Sequence, residues 1–272
     1  MSDNQLIKYQ KKSISIVGMG WLGLPLGKFL ANRPYLVKGS TTTTSKLKDI
    51  SEAGVKGYLL TLPGLEHSKD FFDSDILVIS MPPSVNQYDQ VIDSLLGAIV
   101  THQVPWVIFV SSTSVYPNIG GSVSEEDAVD IASPHSGVQL LQIENLFRDN
   151  RKFDTTIIRF AGLYGPSREP GRFMAGKKDV RGADIPVNLI HQEDCIGIIS
   201  QVIEKEIKGQ TFNACAPEHP NRKDFYTKAC RGLGLEPPQF NSETAPFKII
   251  DSSKLIKKLP YEFIHKNPLL DL

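Results

Sequence analysis

Between residues 13 and 30 the chain reads SISIVGMGWLGLPLGKFL. An apolar run, Ile14-Ser15-Ile16-Val17, has the character of a buried strand. Gly18, Gly20 and Gly23 follow at G-x-G-x-x-G spacing, and Leu22, Leu26, Phe29 and Leu30 then recur at helical spacing. Strand, glycine turn and helix in that order form the context in which such glycines carry a mechanism. Gly18 permits the tight turn, Gly20 lets a pyrophosphate approach the backbone, and Gly23 lets helix and strand pack closely. The anion would rest on the unpaired N–H groups and the positive end of the helix, beside Trp21 and Leu22. The alternative is a glycine-rich turn that only joins strand to helix.

Residues 35–40 read as a second strand. Its end distinguishes the nicotinamide cofactors, because an acid there binds the ribose hydroxyls of NAD and repels a 2′-phosphate. This chain has no acid there. It has Thr41, Thr42, Thr43, Thr44, Ser45 and Lys46. Hydroxyls and a lysine suit a phosphate, which favours NADP(H) over NAD(H), although arginine, the better bidentate partner, is missing. Thr41, Thr42, Thr43 and Lys46 are the candidates. The competing reading is a polar turn capping a helix over residues 45–53.

Further strands are expected at 55–60, 75–80, 106–110 and 155–160, with a helix over 86–102 that buries Val91, Leu95 and Ile99. The fourth strand ends in Met81-Pro82-Pro83, where proline cannot continue a ladder, so Met81 and Pro82 become candidates for the cofactor's ribose. The fifth runs into Ser111-Ser112-Thr113-Ser114-Val115-Tyr116, a hydroxyl cluster at the end of a central strand, where ligands of such sheets bind. Its alternative is a loop whose hydroxyls satisfy backbone groups. Strands alternating with helices imply an α/β, Rossmann-type doubly wound parallel sheet of about seven strands. A helix over 222–232 and a proline-punctuated remainder form a small C-terminal cap. The expected division is a core of 1–165 and 187–216 and a substrate-binding cap of 166–186 and 217–272.

Composition narrows the function classes. The 272 residues carry equal numbers of acids and bases, so no basic stripe calls for nucleic acid. Three cysteines without C-x-x-C spacing fit a reducing compartment. No apolar run approaches the roughly 20 residues of a bilayer span, and the first twelve residues lack a signal peptide's apolar centre. A cytoplasmic monomer or homodimer acting on a small molecule is the expectation. The six histidines are scattered without metal-ligand spacing, so no metal site is expected.

The glycine loop, the Ser112–Tyr116 cluster, the run Arg159-Phe160-Ala161-Gly162-Leu163-Tyr164-Gly165-Pro166 and the run Asn188-Leu189-Ile190-His191-Gln192-Glu193-Asp194 occur in an order that resembles the short-chain dehydrogenase/reductase superfamily. The likeness is to its extended and atypical branch of NAD-dependent epimerases and dehydratases. The G-x-G-x-x-G spacing departs from the G-x-x-G-x-x-G usual there and is similar to a subgroup of small bacterial members. The resemblance implies a Tyr acting as general acid/base, a Lys four residues on, and a Ser or Thr that orients the substrate oxygen. Ser112 matches the last of these, beside Ser111 on the cofactor side. Gly137 and Glu144 align with the family's Tyr-Gly-x-x-Lys-x-x-x-Glu, which puts Ser136 at the Tyr and Leu140 at the Lys. Serine ionises too weakly to replace an activated phenol. His135, Tyr116 and Tyr164 are the possible substitutes, each with a structural alternative.

Residues 165–181 correspond to the family's substrate loop. Their Arg168 and Arg172, with Tyr164, suggest an anionic substrate. The leading expectation is an NADP(H)-binding reductase- or epimerase-like protein with an atypical active site. The rival is a non-catalytic NAD(P)H-sensing regulator. A sugar-nucleotide epimerase with unusual residues ranks third, because the residues outside the core are few.

Overall fold

The computed structural model describes residues 11–61, 64–65, 68–129 and 137–272. In chain order its strands are β1 (Lys12–Val17), β2 (Tyr35–Thr41), β3 (Lys56–Leu59), β4 (Ile76–Ile79), β5 (Trp106–Ser112), β6 (Ser122–Val123), β7 (Asp154–Phe160), β8 (Gly162–Tyr164), β9 (Leu189–His191), β10 (Thr211–Ala214) and β11 (Ile249–Ile250). The helices are α1 (Gly23–Ala31), α2 (Leu47–Glu52), α3 (Lys69–Phe72), α4 (Tyr88–Thr101), α5 (Val138–Arg148), α6 (Gly171–Met174), α7 (Gln192–Glu204), α8 (Arg222–Gly232) and α9 (Ser253–Lys258). Among these, no helix is long and apolar enough to cross a membrane.

Seven strands form one parallel sheet in the order β10-β7-β5-β4-β1-β2-β3. This is the expected Rossmann-type architecture. Every residue of β4 is buried, as are the last four of β1. A parallel strand covered by helices on both faces has no polar side to show, which is why these runs read as continuous apolar sequence. The chain leaves β1 for β2 and β3 on one side, then returns to place β4 on β1's other side, with Ile14 opposite both Val37 and Ile76. The ends of β1 and β4 therefore make a topological switch point, where open α/β sheets bind ligands.

Two features went unforeseen. Short parallel pairs, β6 with β11 and β8 with β9, build small sheets of their own. The expected helix over 45–53 divides into a 3₁₀ turn, Thr44–Lys46, and the α-helical α2. By packing, the chain falls into two compact units. One holds residues 1–110, 143–157 and 207–210, and the other holds 111–142, 158–206 and 211–272.

Candidate functional site

The glycine loop lies in the first unit, at the switch point. Gly18 has φ +92°, and a Cβ there would lie 2.8 Å from the carbonyl oxygen of Ser80, at the end of β4. A Cβ on Gly23 would lie 2.1 Å from the carbonyl oxygen of Gly18, so no side chain fits between α1 and the turn. Gly20 differs from both: it is exposed, and a Cβ would meet nothing within 4 Å. Packing does not require this glycine, but an incoming ligand would. Gly18 N–H donates to Ser40 Oγ at 3.2 Å and Met19 N–H to the Ser40 carbonyl at 2.9 Å, which seats the loop on β2. No side chain caps α1 at Leu22, and no acid stands in its first turn. The helix end thus keeps its positive field for an anion. Open space at Gly20 and an uncapped, acid-free helix start fit a dinucleotide pyrophosphate.

The remaining candidates of this unit gather nearby in sequence and sheet position. Thr41 is buried at the end of β2, and its Oγ1 accepts from Thr43 N–H at 3.1 Å. Thr42, Thr43 and Lys46 are exposed, and the Thr43 side chain caps nothing. The polar-turn reading therefore accounts for Thr41 and leaves the other three facing solvent. Trp21 is half-buried, Met81 is buried and Pro82 is exposed.

In the second unit the hydroxyl cluster forms a tight turn. Ser112 Oγ accepts from Ser114 N–H at 3.1 Å, capping a 3₁₀ turn over Thr113–Val115. Its own O–H can still donate. Ser111 is buried and Ser112 half-buried. A Cβ on Gly137 would sit 1.9 Å from the Ser114 carbonyl oxygen, so the start of α5 lies directly against this turn. His135 and Ser136 lie outside the described residues. Leu140, where the resemblance expects a lysine, is buried.

Tyr116 stands in a closed network. Its hydroxyl donates to Asn213 Oδ1 at 2.6 Å and accepts from Arg159 Nη1 at 2.6 Å. Arg159 Nη1 also donates to the Glu125 carbonyl at 3.0 Å, and Glu125 Oε1 accepts from Asn213 N–H at 2.7 Å. Burial pushes the Tyr116 phenol up to about 12, against the opposing pull of Arg159. A phenol so committed holds its proton at neutral pH. Lys248, missed by sequence reading, donates from Nζ to the Tyr116 carbonyl at 2.5 Å, and burial lowers its pKa. Nothing in the sequence around Lys248 marks it, because its partner lies 132 residues away.

Tyr164 is buried, and its hydroxyl donates to Asp271. Burial, then the Asp271 carboxylate, raises its pKa far above the ordinary value. Tyr164 lines a cavity of about 480 Å³ together with Gly165, Pro166, Glu169, His191 and His265. Arg168 is exposed, and Arg172 Nε pairs with Glu169 at 3.1 Å. The basic loop thus brings its own acid to the cavity wall. Asp194, in the first turn of α7, is fully buried and accepts from Tyr261 OH, Ile264 N–H and His265 N–H at 2.9, 2.8 and 3.0 Å. His191 supplies the side-chain cap of α7.

No protein-family model matches the chain. It is 38% identical to protein YeeZ of Escherichia coli K12 over 271 residues, spanning 95% of this chain and 98% of that protein. Among solved structures, a conserved protein of unknown function from Silicibacter pomeroyi superimposes with a TM-score of 0.79 at 20% identity, covering 96% of each chain. A UDP-glucuronic acid 4-epimerase from Bacillus cereus, in complex with UDP-glucuronic acid and NAD, superimposes with a TM-score of 0.74 at 22% identity, covering 92% of this chain and 93% of that one. The fold is that of the epimerases of the short-chain dehydrogenase/reductase superfamily.

Proposed function

The chain belongs to the family of E. coli YeeZ, and from that premise we propose that it is an NADP(H)-binding, reductase- or epimerase-like protein with an atypical active site. The observation that carries the binding half of this reading is the contrast within the glycine loop. Gly18 and Gly23 are needed by packing, whereas Gly20 opens onto empty space before an uncapped helix. The backbone around Gly18, Trp21, Leu22 and Gly23 would hold the pyrophosphate. Exposed Thr42, Thr43 and Lys46, beside Thr41, would hold a 2′-phosphate. Met81 and Pro82 would border the ribose. The cofactor's chemistry is hydride transfer at the nicotinamide C4.

Ser112 is the residue we assign to the substrate oxygen. Its Oγ is fixed by the Ser114 amide, which leaves the O–H to donate. Tyr116 frames the turn rather than moving a proton, because both sides of its hydroxyl are engaged. His135 remains our candidate for the proton. Arg168 and Tyr164 would meet a small, anionic substrate; Arg172 would do so after release from Glu169. The neighbouring epimerase's nucleotide-sugar substrate makes that class one to test.

The buried Leu140 favours a second reading, a dinucleotide sensor without chemistry. Leucine can neither lower a neighbour's pKa nor hydrogen-bond a ribose.

Titration of the purified protein with NADPH and NADH, followed by Trp21 fluorescence, tests the binding half. We expect tighter binding of NADPH, and Lys46→Ala should weaken NADPH several-fold while leaving NADH unchanged. Equal affinity for both would remove the phosphate assignment. Substrate-dependent NADPH oxidation lost in Ser112→Ala separates the enzyme from the sensor.

A further inference from the structure

Two imidazoles and two carboxylates from separate stretches of the chain meet at the cavity beside Tyr164. His191 precedes α7, and Glu193 stands in its first turn. His265 lies 72 residues beyond Glu193, yet its Nε2 is 3.1 Å from Glu193 Oε2. Its ring lies 3.6 Å, centroid to centroid, from that of His191, tilted by 38°. One ligand atom from each of His191, Glu193 and His265 falls within 4.8 Å of the others. The two imidazoles line the cavity of about 480 Å³.

We propose that His191, Glu193 and His265 bind a divalent transition-metal ion, with the remaining coordination positions open to the cavity. Two imidazoles and one carboxylate are the donor set of zinc, cobalt, nickel or ferrous iron rather than of calcium or magnesium. The surrounding groups are those such a site needs. Asp271 Oδ1 lies 3.0 Å from His265 Nδ1, the carboxylate contact that typically fixes a ligating ring and directs its other nitrogen to the metal. Tyr164 in turn holds Asp271. The His265 backbone is pinned through its N–H to Asp194 Oδ2 at 3.0 Å.

Charge and protonation are consistent with this assignment. Burial, and then the neighbouring His265, keep His191 below its ordinary pKa, so it is neutral near pH 7. His265 sits between Glu193 and Asp271, and these contacts hold it above its ordinary pKa despite burial. An ion must compete with any proton on His265. The positive end of α7 opposes a cation, and the carboxylates of Glu193, Asp194 and Asp271 offset it. The bond most readily given up is the cap from Glu193 N–H to His191 Nδ1, long at 3.3 Å. The proposal does not rest on dinucleotide binding.

The test uses the full chain, stripped with a chelator and titrated with Co²⁺ by visible absorption and with Zn²⁺ by calorimetry in two buffers. We expect one equivalent, an imidazole–cobalt absorption band and proton release. His265→Ala and Glu193→Gln should each abolish the band. Asp271→Asn should weaken binding by about 10- to 100-fold, the usual effect of losing an outer carboxylate. His102→Ala, in the other unit, should change nothing. Circular dichroism establishes that each variant is folded; should His265→Ala unfold, Glu193→Gln and Asp271→Asn decide. No saturable one-equivalent binding, or full affinity retained in Glu193→Gln and Asp271→Asn, overturns the site.

Discussion

The glycine loop and the Tyr116 network are both polar, both built at strand ends, and opposite in what they leave undone. Around Tyr116, Arg159, Glu125 and Asn213 the named polar groups find partners inside the protein, and all four side chains are buried. Around Gly20 the protein leaves open space and a helix end without a side-chain cap. Leaving a buried polar group unpaired costs about 1–3 kcal/mol. A network that fills itself is therefore a frame, and a turn that keeps backbone dipoles pointed at open space is prepared for something else to fill it. The contrast explains why Tyr116, although it ends a motif that looks chemical, has so little left to offer a substrate.

The largest expected effect breaks the frame. Arg159→Met deprives the Tyr116 hydroxyl and the Glu125 carbonyl of their shared donor, and it should lower the unfolding free energy by about 3 kcal/mol in urea titrations. Gly23→Ala comes next. Its methyl would press on the Gly18 carbonyl, so it should cost about 2 kcal/mol and remove dinucleotide binding together. Tyr116→Phe keeps the ring and loses only the hydroxyl, and a loss of roughly 1–2 kcal/mol, read by the same unfolding curves, would size the network without a cavity. Gly20→Ala sharpens the comparison most cleanly. Stability should stay within about 0.5 kcal/mol, while NADPH affinity falls at least several-fold in the fluorescence titration. A variant with unchanged affinity would make Gly20 an accident of the turn.

The smallest effect concerns the His265 clamp and depends on pH. The folded pKa of His265 lies above its unfolded value. Its stabilisation is therefore complete below the unfolded pKa, near 6.5, and is lost as pH rises through the higher folded value. The melting-temperature gap between the parent protein and His265→Gln, measured without metal, should be widest near pH 6 and close as pH rises through the folded value. His191, shifted the other way by burial and by His265, loses stability as pH falls, so the gap reads the coupled pair of imidazoles.

How much was legible beforehand varies with the range of the interactions. The helix over 222–232 and the glycine turn are set by neighbours in sequence, and their limits could be read directly. The β8–β9 and β6–β11 pairs could not, since strands of two or three residues carry no periodicity. Thr42 and Lys46 could be located but not their exposure, which depends on where β2 ends in the sheet.

The amino-acid order alone determined the doubly wound sheet, the glycine turn and the unusual Leu140, because alternating apolar runs and fixed glycine spacing are local physics. It could not decide which polar residues are frame and which are site. That distinction lies in partners such as Asn213 for Tyr116 and Asp271 for His265, 97 and six residues off in sequence respectively, and in whether water or protein fills the remaining space. Hydrogen bonding and burial are settled only when the chain closes on itself, so only the tertiary structure could set Tyr116 apart from Gly20 and bring His191, Glu193 and His265 together.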